Sequence, residues 1–152
     1  MKQNNQFKHL KEIERVINKN LYKICGMVTI VAMAMALMAF FTRGLFPPAN
    51  INIFYLSVLI IYSLHKELVR WLGEKEVERQ GEYFVYGWVI LTTSLYIINF
   101  FTKGYFSYPV GGFSLTAISD TSLLCLEVLA VFIFTRAFKI LKVPLTKLIK
   151  PK

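Results

Sequence analysis

The sequence predicts an all-α integral membrane protein, with four transmembrane helices arranged as two parallel helical-hairpin repeats behind an amphipathic interfacial helix. Three observations carry that prediction. Hydrophobic residues fill 55% of the 152 positions and the mean hydropathy is +0.49, too apolar for a soluble domain of this size. The apolar residues gather into four stretches, at about 24–41, 48–64, 83–101 and 117–135, each near the ~20 residues a helix needs to cross ~30 Å of hydrocarbon. The cations are sorted between the connections, as the order of the elements shows.

Residues 1–23 form the first segment. Phe7, Leu10, Ile13, Ile17, Leu21 and Ile24 recur at three- and four-residue spacings, with basic residues opposite. That is an amphipathic helix suited to lie at anionic headgroups before it turns into the first span. The first span, 24–41, follows 23 residues that include Glu12 and Glu14, which fits a retained helix better than the short apolar core of a signal peptide. Within it Ala32, Ala36 and Ala39 share one face, small enough to let a second helix approach closely.

The second span, 48–64, is the shortest. Between Ile51 and Leu64 only fourteen residues run without a charge, so spanning requires a start near Pro48 and His65 and Lys66 reaching back to the interface. The third span, 83–101, ends in Phe100 and Phe101, and the fourth, 117–135, carries the acid Glu127. Residues 136–152 form a basic tail in which Pro144 is expected to break any helix.

Sixteen of the eighteen Lys and Arg lie before the first span, between the second and third, or after the fourth; only Arg43 and Lys103 occupy the other connections. Cations stay on the cytoplasmic side of a membrane, so this sorting places both termini inside. It accounts for the net charge of +9 through an anionic inner leaflet rather than nucleic acid, for which no basic, aromatic-interleaved face is present. Cys25 and Cys125 are read as small buried residues at different depths, unable to pair.

The chain says several things twice. "KEIER" at 11–15 answers "KEVER" at 75–79, "FFTRGLFPP" at 40–48 answers "FFTKGYFSYP" at 100–109, and Leu68-Val69-Arg70 precedes a similar Ile140-Leu141-Lys142. Their common order suggests a duplicated hairpin. Because each unit crosses an even number of times, the copies enter from one side and are parallel, related by an axis along the membrane normal. Gly44 and Gly104 are placed to end their helices in left-handed turns.

Chemistry is sparse. His9 and His65 stand apart from each other and from any cysteine cluster, so no metal site is expected. Gly111-Gly112 lacks a phosphate-binding lysine and reads as a turn. No nucleophile has a base at its depth, so neither a catalytic centre nor a cofactor site is expected. Glu127 is the exception: an acid near the bilayer midplane should not face lipid. Thr92, Thr93 and Ser94 lie at similar depth on the third span and are its candidate partners.

The expected function is an accessory or scaffold subunit that packs with itself, as a homo-oligomer, or with a membrane protein partner. The alternative is a small proton or cation transporter or channel centred on Glu127.

Overall fold

A computed structural model describes residues 2–71, 81–110 and 117–148. "KEVER" at 75–79 and Gly111-Gly112 lie outside the described residues. Those residues form α1 (Lys2–Phe41), α2 (Ala49–Trp71), α3 (Glu82–Phe101), a single 3₁₀ turn (Tyr105–Ser107) and α4 (Ala117–Leu148), with no strand among them. All four α-helices contain a stretch long and apolar enough to cross a membrane: Glu12–Phe41, Asn50–Val69, Glu82–Phe101 and Ala117–Ala137.

Two of the helix bounds at issue differ from expectation, while α2 starts beside Pro48 as expected. No helix break separates residues 2–23 from the first span. With neither Gly nor Pro between Lys2 and Lys23, α1 has no local cause to bend and continues for 40 residues, about 60 Å at 1.5 Å per residue. Pro144 does not end α4, which continues to Leu148. A proline removes its own N–H bond and kinks a helix, and near a terminus few further bonds are at stake. Pro48 precedes the first helical residue of α2, where its carbonyl accepts from Ile51 N at 3.1 Å and Asn52 N at 3.4 Å.

The bundle has two ends: the cap end, where α1 and α3 finish, and the opposite end, where the chain enters α1. Around it α1 packs on α2, α2 on α4, and α4 on α3, while α1 also touches α3 and α4. The second and fourth helices, α2 and α4, are therefore direct neighbours. Large side chains join α2 to α3 across the interior: Tyr55 meets Trp88 with ring centroids 5.6 Å apart, and Tyr62 meets Phe84 edge-on at 6.0 Å.

In lipid no hydrophobic drive pulls helices together, so association depends on close packing and interhelical hydrogen bonds. The main core contains Cys25, Val28, Ala32, Ala36, Tyr55, Leu59, Trp88, Leu124, Cys125 and Val128. Ala32, Ala36 and Ala39 are 0, 2 and 2% exposed, so the small-residue face of α1 is turned into this chain's own bundle. A second cluster at the cap end joins Ala39, Phe40, Leu95, Ala117 and Ile118.

The two caps are equivalent bond by bond. Arg43 N donates to Phe40 O and Gly44 N to Ala39 O; Lys103 N donates to Phe100 O and Gly104 N to Asn99 O. Each is a Schellman motif that satisfies the last carbonyls of its helix. Thr42 Oγ1 also donates to Met38 O at 2.6 Å, and Thr102 Oγ1 to Ile98 O at 2.9 Å. The glycines do have positive φ, 81° and 77°, but the left-handed region is entered one residue earlier, at Arg43 and Lys103, with φ of 54° and 53°. A residue with a Cβ in that region costs about 1–2 kcal/mol, so both cations occupy strained positions.

Candidate functional site

The deepest polar arrangement is built by three helices. Tyr55 on α2 and Trp88 on α3 are both 0% exposed, and Trp88 Nε1 donates to Tyr55 Oη at 2.9 Å. Thr29 on α1, also buried, turns its hydroxyl back to Cys25 O at 2.7 Å and stands beside the Tyr55 phenol. Indole N–H is a donor only, so Tyr55 Oη satisfies the one polar group Trp88 brings into the core. Cys25 and Cys125 join this same cluster as free thiols. They remain small apolar fillers around two large rings.

Glu127 is the eleventh residue of the 21 in the Ala117–Ala137 stretch, at its centre. It is half-buried and makes no hydrogen bond or ion pair among the described residues. It forms no hydrogen bond with Thr92, Thr93 or Ser94. Helical geometry is consistent with this: Ser122 and Arg136, the α4 side chains with polar bonds to α3, lie about 140° and 180° around the helix from Glu127 at 100° per residue. Tyr96 Oη on α3 pairs with Ser122 Oγ at 2.9 Å, and Arg136 pairs with Glu82.

The three hydroxyls also part from one another. Thr92 faces the bundle with its Oγ1 buried and unpartnered, while Thr93 and Ser94 are exposed, Ser94 Oγ returning to Ile90 O at 2.8 Å. Glu127 borders the lipid-facing side of α4 instead. Leu123, one turn before it, is 55% exposed and Phe134, two turns after it, is 67% exposed. Ala130, three residues on, is exposed as well.

Sequence reasoning missed the contacts at the two ends. At the end opposite the caps, Lys66 does not extend away to the interface: it is 9% exposed, with Nζ 3.4 Å from Tyr62 Oη and 5.6 Å from the ring centroid. It falls four residues after Tyr62 on the packed face of a helix that continues to Trp71, which carries its stem inward. Nearby, the Glu82–Arg136 pair ties α3 to α4, and the Arg136 guanidinium lies 5.0 Å from the Phe132 ring centroid. Opposite charges at the same-side ends of neighbouring spans were the signal available for that pair.

At the cap end, Arg43 Nε donates to Tyr108 O at 2.8 Å, its guanidinium lies 4.6 Å from the Tyr105 ring centroid, and Val110 N donates to Arg43 O at 3.2 Å. The cap of the first hairpin is thereby fastened to the connection of the second. Lys103, its equivalent, is exposed and makes no such contact among the described residues. Charge-assisted and π contacts compensate the backbone strain at Arg43 and leave it uncompensated at Lys103.

No group of three or more His, Cys, Asp or Glu among the described residues is placed to hold a metal ion. Comparison with family models, curated proteins and solved structures found no match to this chain. Glu127 is a chemically distinctive feature, an acid at mid-span with no hydrogen-bond partner among the described residues.

Proposed function

We propose that this chain is an accessory or scaffold subunit of a membrane, acting through lateral helix packing with itself or with a membrane protein partner. The observation that supports this most is the position of Glu127. A carboxyl at the centre of a span is costly to leave against lipid, and hydrogen bonding across a helix–helix contact is the usual way to satisfy it. With the α3 hydroxyls on the other side of α4, the missing contact lies between chains.

In the same reading both termini and residues 72–80 face an anionic cytoplasmic leaflet, where sixteen of the cations gather, and the two caps face outward. The matched caps fit the two hairpins as parallel repeats of one ancestral unit. The amphipathic start of α1 serves as a basic anchor at the inner surface.

The competing reading has Glu127 carry a proton or cation. Conduction requires polar groups in series along a path, and Glu127 flanks the bundle instead of pointing into the Tyr55–Trp88 interior. Purified protein in liposomes decides between them. The packing role predicts no proton or cation flux above that of empty vesicles, with or without Glu127→Gln. A flux that Glu127→Gln abolishes while the fold is retained overturns it. Capture of a stoichiometric membrane partner, or a stable self-association, is the positive result.

A further inference from the structure

We propose that the partner of the α4 flank is a second copy of this chain, with Glu127 of each copy hydrogen-bonded to Glu127 of the other across a two-fold axis along the membrane normal. This deepens the packing role and rests on it. Four facts place the contact. Glu127 sits at the centre of its span, half-buried, with no hydrogen-bond or ion-pair partner among the described residues. The residues that border it, Leu123, Ala130 and Phe134, are exposed, so the flank is open to another helix. Ala130 offers a small side chain beside the carboxyl, which lets two α4 backbones approach. The α4 side chains with polar bonds to α3, Ser122 and Arg136, lie on the far side and stay engaged when copies meet.

The chemistry selects a second copy over another helix. A carboxylic acid holds one O–H donor and one carbonyl acceptor, so two such groups facing one another satisfy each other with two bonds. Identical chains inserted in the same direction place Glu127 at equal depth without further requirement. An unrelated helix would have to supply its own polar group at the same height. A two-fold contact needs a self-complementary patch, and an acid bordered by apolar residues is one.

The test uses the full chain in native membranes and in liposomes. Ala130→Cys should give a disulfide-linked dimer under mild oxidation, whereas the parent chain, its two cysteines buried, and Ile90→Cys, on the exposed side of α3, should not. Adding Glu127→Leu should weaken association at least about tenfold, as loss of interhelical hydrogen bonds in a membrane does. Adding Glu127→Gln should preserve it, because a carboxamide keeps both a donor and an acceptor.

Dye-labelled wild-type chain in liposomes, counted by photobleaching steps as the lipid is diluted, reads the same association without any substitution in the flank. Two-step traces support the proposal and one-step traces at every dilution overturn it. Equal crosslinking at Ala130→Cys and Ile90→Cys, or full crosslinking with Glu127→Leu, also overturns it. If Ala130→Cys captures only a different membrane protein, the self-pairing is wrong while the packing role stands. If it captures nothing in native membranes, both fall.

Discussion

Removing one oxygen atom from the core should measurably loosen the bundle. Tyr55→Phe keeps the ring, so the apolar packing against Trp88 is retained and no large cavity opens. The Trp88 indole N–H then loses the acceptor it holds at 2.9 Å in a site with no exposure to solvent. An unsatisfied buried donor costs about 1–3 kcal/mol, and membrane hydrogen bonds alone about 0.6–2 kcal/mol. The expected loss is about 1–3 kcal/mol, roughly a 5- to 150-fold rise in the unfolding constant.

Trp88→Phe should cost more, about 2–4 kcal/mol, because it loses the bond and part of the packed volume. In that background Tyr55→Phe should cost only a few tenths of a kcal/mol, since the donor is already gone. SDS titration in mixed micelles, followed by far-ultraviolet circular dichroism, supplies all four corners of the cycle. A Tyr55→Phe change below about 0.3 kcal/mol, or an equal cost in both backgrounds, would refute the role given to this bond.

Three further outcomes follow from the caps, the packed face and the end ion pair. Lys103→Gly should raise stability by about 0.5–1 kcal/mol by relieving a left-handed residue that makes no compensating contact, whereas Arg43→Ala keeps the strain, loses the Tyr108 and Tyr105 contacts, and should lower it by about 1 kcal/mol. Ala36→Leu forces three extra heavy atoms into a face that is 2% exposed and should cost about 1–3 kcal/mol, while Ala34→Leu on the exposed side of α1 should stay within about 0.5 kcal/mol. Glu82→Gln removes a partly exposed ion pair and should cost no more than about 1 kcal/mol, less as salt is raised. The same mixed-micelle titration reads each of them.

The helices and their cap-end limits were legible because local causes set them. Phe-Phe followed by Thr, a cation and Gly spells a helix end at both 41 and 101, and the small face of α1 follows from the spacing of Ala32, Ala36 and Ala39. What was not legible depends on which helices become neighbours. Nothing local says that α4 turns Ser122 and Arg136 toward α3 and leaves Glu127 on the other flank, so equal depth alone does not give Glu127 a hydrogen bond to Thr92, Thr93 or Ser94 among the described residues. Lys66 was misread for the same reason: its position four residues after Tyr62 acquires meaning only once Tyr62 is known to be packed. The hold of Arg43 on Tyr108 spans 65 residues of sequence and has no local signal either. At the start of α1 the change in amphipathicity at residue 24 was taken for a helix boundary, whereas one continuous helix runs from Lys2 to Phe41.

The central claim is that lipid surrounds four passes of this chain and that its cations are sorted to one side. Single cysteines placed in a background without Cys25 and Cys125, and treated in intact cells with a membrane-impermeant thiol reagent, test it most directly. Thr42→Cys and Ser107→Cys should label from outside, while Asn5→Cys and Thr146→Cys should label only after the membrane is opened. Labelling of Asn5→Cys in sealed cells, or protection of Thr42→Cys and Ser107→Cys, would contradict it.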